Sequence, residues 1–452
     1  MIVSRNPFEQ LPSLAVNPED FDVLYSAESF RTRLLDAISK ATSRIYLVAL
    51  YLEDDEAGRE ILTALYEAKQ RNPGLDINIC VDWHRAQRGL IGAETSEGNS
   101  ALYKAYANKY QHPIPVYGIP VRGREVFGGV LHLKGFIVDD TVIYSGGASL
   151  NNVYLHYHER YRFDRYHVIR HESLANSMVQ FIQEEMIAHP AVNDLAGKDK
   201  PETKEIKSAI RQLRASLAQA NYQFEDQPAT EESVKITPPL VGLGKRRNLL
   251  NQQIVKLLAA AQNEIFICTP YFNFPKALHR EVKRAMKRGV KVTIVVGDKT
   301  ANDFYIAPEE DFKTIGGLPY LYEVNLRRFA KANEANIAAR KLSIHLWKHD
   351  NNSFHLKGIW VDKRYMLLTG GNNLNPRAWS LDLENGLLIQ DNYAKLTEKF
   401  EDEVSRILEH THLICTYKQL EKVEDYPIGG VQRLVRKITR LKADGGVLKR
   451  IL

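Results

Sequence analysis

The chain contains short apolar runs separated by longer amphipathic stretches. Four of the runs are rich in β-branched and aromatic residues and are apolar at odd and even positions alike: residues 45–52, 77–82, 265–272 and 292–298. A strand with one face in water would alternate apolar and polar residues. Runs without that alternation therefore predict strands whose two faces are both covered by helices.

The stretches between these runs have the spacing of amphipathic helices. Residues 57–72 carry apolar side chains every three or four positions, Ile61 and Leu65 among them. Residues 277–289 repeat the pattern around Val282, with charged residues between the apolar ones. Each stretch therefore predicts a helix with one buried face.

The same order of elements occurs twice along the chain. In each half a helix leads to a buried strand, a second helix and a second strand, and a strand with a distinctive polar pattern follows. The predicted class is α/β, in two homologous halves. A polar, charged connection lies between residues 189 and 244. We therefore place the first half at 1–230, the second at 231–430 and a basic tail at 431–452.

The composition predicts a folded, water-soluble protein. The chain has 452 residues, of which 44% are hydrophobic and 26% are charged. No apolar run approaches the roughly 20 residues that a membrane-spanning helix needs, and the N-terminus lacks the pattern of a secretory signal. The cysteines Cys80, Cys268 and Cys415 are widely spaced and fall in no C-x-x-C pattern, which predicts free thiols in a reducing compartment.

The positive charge is concentrated at the C-terminus. The formal net charge is +6, and residues 431–452 alone hold seven Lys or Arg and one Asp. Apolar residues at helical spacing, among them Val431, Val435 and Ile438, make this segment a predicted basic amphipathic helix that lies on an anionic phospholipid membrane. Two alternatives remain open. The helix docks on the protein's own core with its basic face in water, or its charge attracts nucleic acid or ribosomes non-specifically.

One polar pattern is repeated almost letter for letter. HLKGFIVD begins at His132 and HLKGIWVD begins at His355, and a Gly-Gly pair follows each copy. In a strand, side chains two positions apart point the same way, so each histidine shares a face with its lysine. The aspartate, seven positions after the histidine, falls on the other parity. We therefore expect the aspartate to support the site rather than to react.

Two histidines and two lysines suit the transfer of a phosphate diester. The lysines, Lys134 and Lys357, donate charge and hydrogen bonds to non-bridging oxygens. One imidazole attacks phosphorus while the other moves a proton, because imidazole titrates near neutrality. Such a site needs no metal, since the lysines supply the charge that Mg²⁺ supplies elsewhere. The Gly-Gly turns and Asn373 bring further donors to the same oxygens.

A matched strand follows each motif and carries a carboxylate about thirty residues after the histidine. These residues are Asp164 in the first half and Glu384 in the second. Either carboxylate can hold an imidazole N–H and so select the nitrogen that attacks phosphorus. The sequence does not say which carboxylate serves which histidine.

The repeated pattern resembles the signature of the phospholipase D superfamily, H-x-K-x-x-x-x-D followed by a G-[G/S]-x-N turn. The resemblance implies two halves, each a mixed β-sheet flanked by helices, with one active site at their interface. It implies a covalently phosphorylated nucleophile, for which we favour His132, and a second histidine acting as acid and then base. Ser149 departs from the pattern where Asn373 matches it. The catalytic residues implied are His132, Lys134, Asp139, His355, Lys357 and Asp362.

Longer segments narrow the resemblance to the bacterial phosphatidylserine synthases of this superfamily: residues 48–73, 81–93, 296–306, 317–329 and 371–389. That resemblance implies an enzyme without cofactor that makes phosphatidylserine and CMP from CDP-diacylglycerol and L-serine. It also implies a cytoplasmic protein held peripherally at the inner face of the inner membrane. The alternatives are a cardiolipin synthase-like or hydrolytic phospholipase D, and a phosphodiesterase or nuclease of the same superfamily.

Several residues near the motifs are predicted to bind phosphate or the rest of the substrate. Arg85, Arg88 and Lys299 lie in loops that follow predicted strands, where ligands bind in α/β sheets. The alternative is that these loops carry solvated surface charges, and for Arg377 the alternative is a structural ion pair. The full set is Ser149, Asn151, Asn373, Asn375, Arg377, Arg85, Arg88 and Lys299.

Overall fold

The computed structural model describes residue 8 and residues 11–88, 98–122 and 128–443. In this part of the chain the strands are β1 Leu14–Val16, β2 Phe21–Leu24, β3 Arg44–Val48, β4 Asp76–Asp82, β5 Val116–Ile119, β6 Phe136–Val138, β7 Thr141–Ser145, β8 Arg162–Phe163, β9 Tyr166–Arg170, β10 Asn193–Asp194, β11 Val234–Gly242, β12 Glu264–Thr269, β13 Lys291–Gly297, β14 Leu342–Trp347, β15 Ser353–Phe354, β16 Gly358–Val361, β17 Tyr365–Leu368, β18 Glu384–Gln390 and β19 Thr411–Leu413.

The α-helices of the same part lie between these strands and mostly connect them. They are α1 Ala27–Lys40, α2 Glu56–Arg71, α3 Trp83–Ala86, α4 Ser100–Lys109, α5 Glu172–Phe181, α6 Lys207–Leu217, α7 Leu249–Ala260, α8 Lys276–Lys287, α9 Leu318–Ala332, α10 Glu334–Ala338, α11 Pro376–Ser380, α12 Thr397–Leu408 and α13 Gly430–Ala443. None of the helices described is long and apolar enough to cross a membrane.

Two large mixed sheets repeat one topology. The first has the order β10-β5-β4-β3-β6-β7-β9-β2, and the second β19-β14-β13-β12-β16-β17-β18-β11-β1. In each sheet three strands are parallel (β3, β4 and β5 in the first, β12, β13 and β14 in the second), and the remaining pairs are antiparallel. The predicted class, two α/β halves with mixed sheets flanked by helices, is confirmed.

Both faces of each sheet are covered, which explains the apolar runs without alternation. In β3, Ile45 and Leu47 pack under α1 and α2, whereas Tyr46 and Val48 face a central core. That central core also contains side chains of the second sheet, Trp360 among them. The two sheets therefore share one continuous interior, and a separate core lies under α7 and α8.

Two strand pairs join the N-terminal part of the chain to the second half. β1 lies near the N-terminus and pairs antiparallel with β11 of the second sheet. β8 of the first half pairs in parallel with β15 of the second. Residues 14–16 thus join the second sheet, although the sequence-based division places them within the first half, at residues 1–230.

The C-terminal helix α13 packs on the protein. Its apolar residues Val431, Val435 and Ile438 are buried in a cluster with Tyr320 and Leu321 of α9. Its basic side chains point away from this cluster and are exposed: Arg433, Arg436, Lys437 and Arg440. The apolar face is therefore not free to enter a bilayer while the helix is docked. Residues 444–452 of the predicted tail lie outside the described residues.

Candidate active site

Each motif histidine lies where the chain enters an inner strand of its sheet. His132 precedes β6 and is 8% exposed, and His355 precedes β16 and is 6% exposed. Lys134 and Lys357, two residues on, are buried almost completely. Burial of four ionisable groups at equivalent places in the two halves makes this region the candidate site.

The carboxylates are exchanged between the halves. His132 Nδ1 lies 2.8 Å from Glu384 Oε1, and His355 Nδ1 lies 3.1 Å from Asp164 Oδ2. Each histidine is therefore oriented by the half to which it does not belong. A carboxylate on Nδ1 accepts its proton and leaves Nε2 as the reactive nitrogen.

Backbone pairing between the halves explains the exchange. Phe354, immediately before His355, pairs with Phe163, immediately before Asp164. In the same way a parallel bridge joins Leu131, before His132, to Leu383, before Glu384. Main-chain bonds extend each pairing, because His355 N donates to Phe163 O and His132 N donates to Leu383 O, both at 2.9 Å. Each pairing brings a histidine and the opposite carboxylate to the same level.

Each Gly-Gly turn also lies against the histidine of the opposite half. A Cβ atom at Gly147 of the first turn would lie 2.7 Å from Lys357 Nζ and 2.9 Å from His355 Cε1. A Cβ at Gly371 of the second turn would overlap the ring and the main-chain oxygen of His132. Glycine at these positions allows the turn of one half to lie against the histidine of the other.

The lysines are held differently in the two halves. Asn385, next to Glu384, bonds both main-chain groups of Lys134, with Lys134 N donating to its Oδ1 and its Nδ2 donating to Lys134 O at 2.9 Å each. Lys134 Nζ has no hydrogen-bond partner among the described residues. Lys357 Nζ lies 2.8 Å from Nδ1 and 3.1 Å from Nε2 of His355. Lys134 Nζ is therefore available to an anionic ligand, whereas Lys357 Nζ is held against the ring and the main-chain oxygen of His355.

Burial sets the protonation of the site. It lowers the pKa of Lys134 to about 8 and that of Lys357 to about 7, against the opposing pull of Glu384 on the first and Asp164 on the second. Burial, followed by the charges of the lysines, also lowers the pKa of His132 and of His355 well below the usual value. Both imidazoles are therefore neutral near pH 7, the form that a nucleophile and a general base require.

The motif aspartates lie at the opposite end of the inner strands from the histidines. Asp139 follows β6, and its carboxylate accepts hydrogen bonds from main-chain N–H groups of residues 42–44. Asp362 follows β16 and accepts from main-chain N–H groups of residues 262–264. Each aspartate thus ties the motif strand to the start of its neighbour, β3 or β12. Neither carboxylate is brought to the imidazoles.

The residues after the glycine turns divide into two groups. Asn151 Oδ1 accepts from Tyr154 N at 3.1 Å, and Asn375 caps α11 by accepting from Ala378 N at 3.0 Å. These side chains shape the turns. Ser149 is buried, and the Oδ1 of Asn373 is buried without a partner among the described residues. Asn373 therefore keeps unused hydrogen-bonding capacity beside its glycine pair.

The predicted loop cations are mostly engaged with carboxylates. Arg85 is buried and donates to Glu53 at 2.8 Å. Lys299 lies between Glu323 at 3.2 Å and Glu421 at 3.0 Å. These contacts make Arg85 and Lys299 members of structural ion pairs, whereas the alternative that the sequence left open for them was solvated surface charge.

Of the two other predicted cations, Arg377 lies closer to the histidines. Arg377 Nε lies 3.4 Å from Asp382 Oδ1, and its charge also acts on His132. Arg88 is exposed, and among the described residues no contact joins it to either histidine. Arg377 therefore forms the ion pair given as its alternative and also lies near a motif histidine, while its contact with phosphate stays a prediction.

Sequence reasoning missed several residues that surround the histidines. Tyr154 OH lies 3.2 Å from His355 Nε2. Arg162 and Asp303 form an ion pair of 2.8 Å on the same side. Alignment of the two halves could have pointed to Arg162. The sequence RFD, which ends at Asp164, aligns with DLE, which ends at Glu384, so Arg162 occupies the position that Asp382 has in the second half.

One group of side chains has the composition of a metal site. The ligand atoms of His132, Asp382 and Glu384 all lie within 4.8 Å of one another. Glu384 already bonds His132, and Asp382 accepts from Val130 N at 3.1 Å and pairs with Arg377. These hydrogen bonds account for the cluster without an ion, and a reaction without metal stays a prediction.

Comparisons with known proteins agree with this geometry. Residues 34–185 and 254–408 match the family described as "Cardiolipin synthase, PLD-like domain". The chain is 48% identical to the CDP-diacylglycerol–serine O-phosphatidyltransferase of Escherichia coli K12, over 98% of this chain and 97% of that one. It is 49% identical to the enzyme of the same name from Haemophilus influenzae Rd, over 96% of this chain and 95% of the relative.

A solved structure extends the similarity to the whole fold. The crystal structure of phosphatidylserine synthase from Haemophilus influenzae Rd KW20 superimposes with a TM-score of 0.91 at 47% identity, and 98% of each chain is covered. The similarity spans both halves, with their two histidine motifs. The chain belongs to the phospholipase D-like family of CDP-diacylglycerol–serine O-phosphatidyltransferases.

Proposed function

We propose that this protein transfers the phosphatidyl group of CDP-diacylglycerol to the hydroxyl of L-serine, giving phosphatidylserine and CMP. The observation that carries the proposal is the pair of buried, neutral histidines, each held at Nδ1 by a carboxylate of the opposite half. Two such imidazoles at one site suit a double displacement at phosphorus. The full-length relatives at 48% and 49% identity bear the name of this reaction.

In the first step, His132 Nε2 attacks the phosphorus that bears diacylglycerol. A P–N bond forms, the P–O bond to CMP breaks, and CMP takes the electron pair. Among the described residues His132 Nε2 has no hydrogen-bond partner, whereas His355 Nε2 lies 3.2 Å from Tyr154 OH. The free nitrogen supports His132 as the nucleophile.

In the second step, the serine hydroxyl attacks the phosphatidyl-histidine. His355 takes the hydroxyl proton, a P–O bond to serine forms, and the P–N bond to His132 breaks. CMP is a good leaving group that needs little protonation, whereas a primary alcohol needs a base. We therefore expect His355 to matter more in the serine step than in CMP release.

Lys134 and Lys357 stabilise the non-bridging oxygens while charge builds on them. Burial strengthens this interaction because water does not screen it. Arg377 supplies a further donor on the His132 side of the phosphate. Product choice depends on excluding water, since hydrolysis of the same intermediate would give phosphatidic acid.

The activity is tested by mixing the protein with CDP-diacylglycerol and labelled serine. We expect serine-dependent CMP release and labelled phosphatidylserine, both abolished in His132→Ala. The same protein incubated with DNA should produce no cleavage. Serine-independent CMP release with phosphatidic acid as the only lipid product would instead identify a hydrolase, and DNA cleavage a nuclease.

The order of steps is tested with His355→Ala. This variant should still release one equivalent of CMP per site and accumulate a phosphatidyl-protein, because the first step needs little acid catalysis. Serine should then fail to discharge the adduct. A His355→Ala protein that releases no CMP but passes a preformed phosphatidyl group to serine normally would reverse the assignment.

Peripheral attachment to the cytoplasmic face of the membrane is part of the proposal. The exposed basic side chains of α13 support it, since each contributes about 1 kcal/mol near an anionic surface. Two exposed apolar residues, Phe312 and Ile428, lie beside the start of this helix. The attachment proposed is thus electrostatic, with α13 docked on α9 and its basic side toward the lipid.

A further inference from the structure

The direction of attack locates the acceptor. In a displacement at phosphorus the entering atom and the leaving atom lie roughly in line, on opposite sides of the phosphorus. If His132 holds the phosphatidyl group, the serine hydroxyl enters from the opposite side, where His355 can take its proton. The groups around His355 therefore define what the acceptor must look like. This step rests on the function proposed above.

An ion pair formed between the two halves lies beside His355. Arg162 Nε of the first half donates to Asp303 Oδ1 of the second at 2.8 Å. The Arg162 guanidinium lies 4.5 Å from the centre of the Tyr154 ring, and the Tyr154 hydroxyl is 3.2 Å from His355 Nε2. The Tyr154 ring thus lies between the Arg162–Asp303 pair and His355, the proposed general base.

Tyrosines hold the pair in place on both sides. Tyr271 OH donates to Asp303 Oδ2 at 2.9 Å, and its ring centroid is 6.4 Å from that of His355. Arg162 Nη1 donates to Tyr51 OH at 3.4 Å. A rigid aromatic frame of this kind keeps opposite charges at fixed positions near the reacting centre.

The pair retains capacity for a ligand. A guanidinium has five N–H donors, and among the described residues the Nη2 of Arg162 bonds to none. The Arg162 side chain is 19% exposed and that of Asp303 is 7% exposed, so the pair is reachable but largely desolvated. Charged hydrogen bonds in such a setting are strong.

We infer that Arg162 and Asp303 bind the acceptor amino acid by its two charges. Arg162 receives the α-carboxylate, Asp303 receives the α-ammonium, and the hydroxyl replaces the Tyr154 hydroxyl at His355 Nε2. The neighbouring tyrosines, Tyr51 and Tyr271, fix the two charged side chains. The chemical class of the ligand is a zwitterionic 2-amino-3-hydroxy acid.

The difference between the two halves supports this assignment. Arg162 stands two residues before Asp164, and the equivalent residue before Glu384 is Asp382. The duplicated frame thus carries a cation on the His355 side and an anion at the matching place on the His132 side. A reaction in which one side receives a carboxylate-bearing acceptor accounts for that difference.

The geometry also keeps the amine from reacting. In the transfer, the serine hydroxyl oxygen forms the new bond to phosphorus, the P–N bond to His132 breaks, and the proton passes to His355. An amine held as ammonium by Asp303 has no free electron pair, so it does not compete for phosphorus. Asp303 therefore contributes to the choice of oxygen over nitrogen as well as to affinity.

The inference is tested with Arg162→Gln, Asp303→Asn and three acceptors. Ethanolamine lacks the carboxylate of serine, and 3-hydroxypropanoate lacks its ammonium. We expect each variant to raise KM for L-serine about tenfold or more, the effect of a charge-assisted hydrogen bond. Arg162→Gln should lower kcat/KM for serine relative to ethanolamine, and Asp303→Asn should lower it relative to 3-hydroxypropanoate.

A matched control is the exposed pair Arg406 and Asp402 on α12, 3.2 Å apart. Arg406→Gln and Asp402→Asn should leave KM for serine and acceptor preference as in the wild type. Because the acceptor ratios do not depend on the folded fraction, partial loss of fold does not mask the result. Arg162→Lys, which keeps the charge, should recover part of the serine preference.

The outcomes separate the two proposals. A wild-type protein whose CMP release does not respond to serine would overturn the proposed function, and the acceptor site with it. A wild-type protein that responds to serine, together with Arg162 and Asp303 variants of unchanged KM and unchanged acceptor ratios, would overturn the acceptor site alone. Equal losses for all three acceptors would also overturn it, since they would indicate a role in phosphate binding.

Discussion

At the scale of single residues, burial controls the chemistry of the site. Lys134 and Lys357 are removed from water, so their ammonium forms are costly unless a phosphate is bound beside them. The same burial keeps His132 and His355 neutral until one of them reacts. An anionic substrate would therefore supply the negative charge that stabilises the two buried ammonium groups.

The lysine pKa values predict an alkaline limit to activity. As pH rises through about 7 to 8, Lys357 and then Lys134 lose their protons in the free protein and no longer attract the phosphate. We expect kcat/KM for CDP-diacylglycerol to fall over this range, since kcat/KM reports the free enzyme. Lys134→Arg should remove the later part of this fall, near pH 8, because arginine stays protonated, and should leave the earlier part that belongs to Lys357. A profile flat to pH 9 would contradict this account.

The exchanged carboxylates predict different defects in the two steps. Glu384→Gln should slow formation of the phosphatidyl-histidine, because Glu384 orients the nucleophile His132. Asp164→Asn should slow transfer to serine, because Asp164 orients His355. Losses of roughly 10²–10⁴-fold are expected, as for carboxylates that fix a histidine tautomer. The CMP burst and the decay of a preformed adduct measure the two steps separately, and identical defects in both variants would contradict the exchange.

At the scale of elements, the motif aspartates fasten strands rather than react. Burial alone would raise the pKa of Asp139, but hydrogen bonds from Ser43, Thr42 and Arg44 lower it to about 2. A carboxylate with a lowered pKa stabilises the fold above its unfolded value of about 3.9. The stabilisation is lost as pH falls toward about 2.

Removing this fastening should therefore affect stability before chemistry. We expect Asp139→Ala to lower the free energy of unfolding by about 1–3 kcal/mol, since it leaves several backbone donors without a partner. The unfolding transition at neutral pH measures this. The exposed neighbour Asp140, in Asp140→Ala, is the control. A fully folded Asp139→Ala protein whose kcat falls as far as that of His132→Ala would show a direct catalytic role instead.

At the scale of the whole molecule, the two halves form one body because each completes the other. β1 extends the second sheet, β8 pairs with β15, and the buried Arg165 bonds Glu403 of α12 at 2.7 Å across the central core. Arg165 also lies 4.0 Å from the centre of the Trp360 ring. Breaking one partner of such a buried ion pair is costly, so the halves are held in a single arrangement.

The docked C-terminal helix predicts how the molecule meets a membrane. Replacing Arg433, Arg436 and Lys437 by Gln should weaken binding to anionic vesicles by about 3 kcal/mol, or roughly 100-fold, at low salt. Co-sedimentation with vesicles at increasing salt measures this. The exposed basic face of α8 is the control, with Arg280, Lys283 and Lys287 replaced in the same way. A larger loss in the α8 variant would place the contact surface on that helix.

Local patterns in the sequence are sufficient for much of this molecule. Runs that are apolar at odd and even positions predict buried strands, and the spacing of His132 and Lys134 predicts a shared face. These predictions use the two-residue period of a strand, and the helices follow in the same way from the period of 3.6 residues. The repeat of that pattern at His355 then predicts two like halves with the same chemistry.

Contacts between distant segments lie beyond such patterns. His132 meets Glu384 across 252 positions and His355 meets Asp164 across 191. A repeat treats the halves as equivalent, so it cannot distinguish pairing within a half from pairing between halves. The way the two sheets pack, with Leu131 beside Leu383 and β8 beside β15, makes that choice. The docking of α13 on α9 and the meeting of Arg162 with Asp303 depend on the same packing, because only the folded chain brings these surfaces together.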